Sequence, residues 1–269
     1  DGHSHSTIPG ETVKDKSGND VVLTSTGTKL ANIGKMTITA EGQVSTELVN
    51  GYTEVDAETD AFVKNIQAQY EDKLNEVVAK SDVDLVVMDP ATGNRLIRNQ
   101  ETNLGNLCAD AYRTVLGADI AFVNGGGIRA DIPAGDITYG QVIAVHPFGN
   151  TACVVEATGQ EIADALEMTA RSTPGENGGF LQVSGLKYTI DLNIASSVKL
   201  DDKSMFVAVE GLRRVKNIQV LNQAGEYEPL DLEKTYKLAS HNYMLKSGGD
   251  GINMFMDNKV LQDEVMIDN

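Results

Sequence analysis

Asp119-Ile120-Ala121-Phe122-Val123-Asn124-Gly125-Gly126-Gly127-Ile128-Arg129 is the stretch from which the fold is read. Ile120 to Val123 form a short apolar run that stops at a turn signal, the pattern of a buried strand. The glycines that follow carry no Cβ, so the backbone there can take positive φ and come close to a bound group. Arg129 adds a guanidinium fork suited to phosphate or carboxylate. The same residues also fit a tight turn followed by a surface arginine, and this segment by itself leaves both readings open.

Two further glycine-bearing loops lie downstream. Gln141-Val142-Ile143-Ala144-Val145, either a strand or the end of a helix, leads into Pro147-Phe148-Gly149-Asn150. A phenyl ring between two turn formers can plug the loop or offer a face for a base to stack on. The third loop, Ser247-Gly248-Gly249-Asp250-Gly251, follows Ser240-His241-Asn242-Tyr243-Met244-Leu245-Lys246. Glycines on both sides of Asp250 fit a sharp turn that projects a carboxylate able to accept two hydrogen bonds, as vicinal ribose hydroxyls require. A plain Asx turn would use the same residues. The three loops together describe a nucleotide-sized pocket.

Around these loops helix and strand patterns alternate without an internal repeat. Asn103 to Leu116 places Leu104, Leu107, Cys108, Ala111 and Val115 on one helical face. Gly159 to Arg171 does the same with Ile162, Ala165, Leu166 and Thr169 or Ala170. Strands are expected at Ala152–Ala157, Leu186–Leu192, Arg214–Leu221 and Tyr236–Ala239, giving an α/β or α+β sandwich with a mixed sheet. Upstream, residues 1–55 read as several strands and turns, including Asp20–Thr24 and Gly34–Ala40. A helix is expected from Ala57 to Lys80, with Phe62, Ile66, Tyr70, Leu74 and Val77 as its apolar stripe and Glu58 and Asp60 in its first turn.

Composition narrows the function classes. Lys plus Arg total 22 against 39 Asp plus Glu, a net charge of −17. So acidic a surface repels a nucleic-acid backbone and argues against a polymeric nucleic-acid partner, while Arg98 and Arg129 can still make a local seat for a small anion. No run of about 18 apolar residues exists to span a membrane. Cys108 and Cys153 lie in apolar patterns and read as small buried hydrophobes; two cysteines set no disulfide framework.

Glu101-Thr102-Asn103-Leu104-Gly105-Asn106-Leu107, Asn124-Gly125-Gly126-Gly127-Ile128-Arg129, Pro147-Phe148-Gly149-Asn150 and Gly248-Gly249-Asp250-Gly251, in this order, resemble the C-terminal domain of the 5′-nucleotidase/UDP-sugar hydrolase family. The resemblance implies a mixed-sheet domain over residues 82–269 that binds the substrate nucleoside. It makes residues 56–81 an interdomain helix, and residues 1–55 the closing strands of a metallophosphoesterase domain. It also implies that the chain begins inside that domain, that the parent hydrolyses nucleotides with two divalent ions such as Zn, Mn or Co, and that it works outside the cytoplasmic membrane.

Carried over residue by residue, the resemblance makes Arg98, Asn124, Gly127, Arg129, Phe148, Asn150 and Asp250 substrate-binding. The second stacking face falls to Met244 by spacing, or to its neighbour Tyr243 through a local shift. His3 and His5 match the family's last metal motif, but two histidines cannot assemble a dinuclear site, so the chain by itself is expected not to turn over substrate. A ligand-binding or adhesion module on the same fold is the alternative. His146 and His241, near the pocket loops, read as histidines satisfied by the backbone. Gly178–Gly185 reads as structural.

Overall fold

The computed structural model describes residues 5–267, which fall into two compact units that divide between Gln69 and Tyr70. In the first unit β1 (Thr7–Lys14) pairs antiparallel with β2 (Asp20–Thr26), and β3 (Ile33–Ile38) with β4 (Val44–Val49). Their side chains stay largely in water: Val21, Leu23, Ile33, Met36 and Ile38 are all exposed.

Helix α1 (Ala57–Leu74) begins where expected, with Glu58 and Asp60 in its first turn, but it stops six residues short of Lys80 and buries no residue. Phe62, Ile66 and Tyr70 of its apolar stripe are exposed. The missing end is a strand, β5 (Val77–Ser81), paired with β7 (Gly135–Thr138). Two consecutive β-branched valines at 77 and 78 favour the extended backbone, and ladder partners supplied from far along the chain decide the matter.

The second unit continues with α2 (Asn103–Val115), β6 (Ile120–Asn124), the β7 strand, α3 (Tyr139–Val145), β8 (Thr151–Thr158) and α4 (Gly159–Ala170). After them come β9 (Leu181–Ser184), β10 (Leu186–Ile190), β11 (Val198–Leu200), β12 (Phe206–Val209), β13 (Val215–Leu221), β14 (Tyr227–Pro229), β15 (Thr235–His241), α5 (Asn242–Leu245) and β16 (Val260–Met266). Each helix that flanks the central sheet starts on a threonine cap. Thr102 accepts from the Gly105 amide, and Thr158 forms a reciprocal capping box with Glu161.

The central sheet has the order β16-β8-β15-β6-β9, and only the β15–β6 pair is parallel. This is the mixed sheet expected from the sequence. Side chains of β6 alternate between two cores, as the two-residue period of a strand requires. Ile120 and Phe122 pack with Ile162, Ala165 and Leu166 of α4, while Ala121 and Val123 pack with Leu104, Cys108 and Ala109 of α2. The result is a helix–sheet–helix sandwich. A smaller sheet, β10-β13-β14, and the β11–β12 hairpin complete the unit.

Of the two readings open for Gln141–Val145, the helical one holds, within α3. One local expectation is corrected. The buried face of α2 is Leu104, Gly105, Cys108, Ala109 and Tyr112, whereas Leu107, Ala111 and Val115 face outward. A wide apolar stripe let two faces compete, and close contact of Gly105 with Gln182 of β9 selects one of them. Cys108 and Cys153 are buried and free. Among the described residues no helix is long and apolar enough to cross a membrane.

Phe122 is fully buried at the centre of this sandwich. Phe122→Ala should therefore cost about 3–5 kcal/mol of stability, read as a lower urea midpoint. A loss under about 1 kcal/mol would mean that this strand is not the centre of the core.

Candidate functional site

Strand direction collects the loops that the sequence singles out. Because β6 and β15 run parallel, their C-terminal residues Asn124 and His241 lie side by side, with His241 Nε2 3.0 Å from Asn124 Oδ1. Strands β9 and β8 run antiparallel to them, so the segments that enter those strands, Gly178–Phe180 and Phe148–Asn150, open at the same edge. In sheets with parallel strands, ligands gather at the carboxyl ends where strand order reverses.

Backbone bonds knit this edge together. Gly125 N–H donates to the Phe180 carbonyl and Gly126 N–H to the Gly178 carbonyl, both at 2.7 Å. Asn177 N–H donates to the Arg98 carbonyl at 2.9 Å. Buried Gln182 ties down the 97–102 segment, donating to the Ile97 and Gln100 carbonyls at 3.1 and 2.8 Å and accepting from Thr102 N–H at 3.1 Å. Arg98 is thereby held from both sides.

Asp250 is the best-held group at this edge. It sits at φ 55°, in the left-handed region that few side chains other than Asn and Asp tolerate. Asn124 Nδ2 donates to its Oδ2 at 2.7 Å, and Tyr243 O–H donates to its Oδ1 at 3.3 Å. The Tyr243 oxygen also accepts from Asp250 N–H at 3.2 Å. A Cβ on Gly249 would collide with the Tyr243 ring, so the ring lies directly on bare backbone. Burial raises the Tyr243 phenol, with the Asp250 charge adding to it, so it remains a donor.

Two arginines lie within electrostatic reach of this carboxylate. Burial and the neighbouring charges of Arg95 and Arg129 lower Arg98, with Glu176 and Asp250 acting the other way. Arg171 is lowered by burial, and Asp250 opposes this as well. The Arg129 guanidinium lies 5.6 Å from the centre of the Phe148 ring, a cation–π contact, while that ring is 60% exposed. Arg98 is thus within electrostatic reach of both Arg129, which carries Phe148, and Asp250.

The structure accordingly brings Arg98, Asn124, Arg129, Phe148, Tyr243 and Asp250 to one edge of the sheet. Asn150 is half-buried in the turn that enters β8. Gly127 is buried behind Asn124, where a Cβ would stand 2.6 Å from Asn124 Oδ1. Met244 is placed differently. It is fully buried, with its sulfur accepting from Ser240 O–H at 3.5 Å, because the first turn of α5 directs it into the core and leaves Tyr243 at the surface. Tyr243 therefore provides the aromatic surface here.

His5 is exposed just ahead of β1, and His3 lies outside the described residues. Among the described residues no group of three or more His, Cys, Asp or Glu could hold a metal ion. The divalent ions implied by the resemblance do not fit what these residues offer.

Three participants escaped the sequence reading. Arg171 looked like the end of a helix, although it brings charge to Asp250. Gln182 lay in a segment read as structural; an amide between Leu181 and Val183 in an otherwise apolar strand was the available signal. His241 was read as satisfied by the backbone, yet its Nε2 pairs with Asn124, and its Nδ1 is buried without a hydrogen-bond partner.

Comparison with known proteins agrees with this geometry. Residues 77–257 match the family model described as 5′-nucleotidase, C-terminal domain. The chain is 34% identical over 224 residues to the trifunctional nucleotide phosphoesterase protein YfkN of Bacillus subtilis, covering 81% of this chain and 14% of that protein. It is 32% identical to the cell wall protein Lmo0130 of Listeria monocytogenes, covering 74% of this chain and 24% of that one. The crystal structure of a 5′-nucleotidase precursor from Thermus thermophilus superposes with a TM-score of 0.72 at 30% identity, over 99% of this chain and 54% of that one. The chain thus spans a seventh to about half the length of these relatives.

The two histidines at the site edge make stability pH-dependent. Burial lowers both to about 4, for His241 with help from the charge of His146. An unfolded histidine takes its proton near pH 6.5, so between about 6.5 and 4 the unfolded chain binds more protons and stability falls as pH falls. At pH 5 the loss is about 2 kcal/mol for each histidine. Urea midpoints at pH 7 and pH 5 check this; an unchanged midpoint would mean that the folded chain carries these histidines charged.

Proposed function

Since this chain belongs to the 5′-nucleotidase family through its C-terminal domain, we propose that it recognises the nucleoside of a small nucleotide for a phosphoester hydrolase. The observation that carries this reading is Asp250, a carboxylate fixed by Asn124 and Tyr243 and within electrostatic reach of Arg98 and Arg171, at the edge where Phe148 is exposed.

A carboxylate has about four lone-pair sites. Asn124 and Tyr243 use one on each oxygen, which leaves acceptors for a vicinal diol such as the 2′ and 3′ hydroxyls of a ribose. Phe148 and Tyr243 offer ring faces for the base, with Arg129 behind the Phe148 ring. Arg98 and Arg129 supply the positive field for a phosphate-bearing ligand inside a chain of net charge −17. Binding energy gathered on base and sugar positions the ester bond, which is how a recognition domain contributes to rate.

Bond cleavage belongs, in this proposal, to a metal-dependent phosphatase domain of a longer parent. The family's two divalent ions would supply a hydroxide nucleophile and charge neutralisation there. Support comes from the fraction of the Thermus protein that this chain covers and from the poor fit of the described residues to a metal. The proposal places the parent outside the cytoplasmic membrane, at the cell surface or in the periplasm, and the similarity to a cell wall protein supports the first of these. That similarity also supports a second reading, a non-catalytic ligand-binding or adhesion module on the same fold.

Calorimetric titration of the 269-residue chain with adenosine tests recognition. Stacking on one ring is worth about 1–3 kcal/mol, so Phe148→Ala should weaken binding roughly 5- to 150-fold. Unchanged affinity in that variant would remove Phe148 from the site. The same chain should release no phosphate from adenosine monophosphate in the presence of Mn²⁺, and ready turnover would overturn the division of labour.

A further inference from the structure

The Asp250 carboxylate accepts hydrogen bonds and donates none, and this fixes the direction of every bond behind it. The Asn124 atom 2.7 Å from Asp250 Oδ2 must be the amide nitrogen. Asn124 Oδ1 then points the other way, to His241 Nε2 at 3.0 Å. An amide oxygen only accepts, so that ring nitrogen must carry the hydrogen. The other nitrogen, Nδ1, is buried without a partner, and His241 is 2% exposed. A proton on Nδ1 would be an unpaired donor in the core, and a charged ring would be costlier still.

We infer that His241, held as the neutral Nε2–H tautomer, is a positioning residue that sets the amide orientation of Asn124 and through it the aim of the Asp250 carboxylate. Asn124 is then mainly a relay, since its oxygen and one of its amide hydrogens are engaged within the protein. The Tyr112 ring, edge-on, and the Tyr243 ring, tilted by 35°, confine the imidazole at ring-centre distances of 6.4 and 6.0 Å. Its backbone is held by the β15 ladder, where His241 pairs with Ala152. Without the Nε2 donor, the Asn124 amide is held from one side only, by its hydrogen bond to Asp250. A half-turn, which would set its oxygen against Asp250, acceptor facing acceptor, is then opposed by one contact instead of two. The inference deepens the proposed nucleoside site and rests on that reading for its consequence, though the tautomer itself can be measured without any ligand.

The test uses the full chain, with adenosine and 2′,3′-dideoxyadenosine as probes. The second lacks the hydroxyls that Asp250 would bind. His241→Leu should weaken adenosine binding about tenfold or more and leave dideoxyadenosine nearly unchanged. His241→Gln, which returns an N–H at a similar reach, should recover most of the loss. In an Asn124→Ala background, His241→Leu should add little, because the relay is already broken. A folded His241→Leu variant that keeps the wild-type preference for adenosine would overturn the inference. Should the leucine variant not fold, nitrogen-15 NMR of the imidazole in the wild-type chain decides the matter independently. Protonated Nε2 with bare Nδ1 supports the relay, and the opposite tautomer or a charged ring refutes it. If the wild-type chain binds neither nucleoside, the proposed function fails and the NMR measurement still tests the relay.

Discussion

Parallel pairing of β6 with β15 at the middle of the central sheet is the constraint on which the remaining geometry depends. Parallel neighbours end at the same edge, so Asn124 and His241 become adjacent although 117 residues separate them in the chain. The antiparallel flanking strands β8 and β9 then begin at that edge, and their entry loops join it. Loops on different segments reach one place because of strand direction, and the two apolar cores on either face keep the strands in register.

Once these loops meet, charge sets the internal order of the site. A carboxylate is brought close to Arg98 and Arg171, and the chain's overall acidity does not prevent it, since charges more than about 10 Å away are largely screened at ordinary salt. Two donors fix the carboxylate, and one of them is itself fixed by a histidine kept neutral by burial. Polar groups behind the site have assigned hydrogen-bond directions, so the surface they present is pre-organised and a ligand need not order it.

Much of this was legible in the chain, and the exceptions share a cause. Strands β6, β8 and β15, the two flanking helices and the three glycine-bearing loops carry local signals of period and turn residues, whereas β9 and β16 of the same sheet were not expected as strands. The end of α1 differs from the expected helix because Val77 fits the helical stripe, and only pairing with the distant β7 strand makes it extended. On α2, Leu107 and Val115 fit a face as apolar as the one that is buried. Met244 held the expected spacing for a stacking residue, yet one residue of rotation at the start of α5 turns it inward and Tyr243 outward. Arg171, Gln182 and His241 gave almost no local signal because their partners lie far away along the chain.

The sequence by itself determined the alternation of elements, the loop chemistry and the family resemblance, since these depend on neighbouring residues and on spacings of a few positions. Only the tertiary structure decided which side chains meet Asp250, which face of α2 is buried and which way the Asn124 amide points. Those outcomes are set by contacts between segments dozens to more than a hundred residues apart, and by the requirement that each buried donor face an acceptor, neither of which a local pattern encodes.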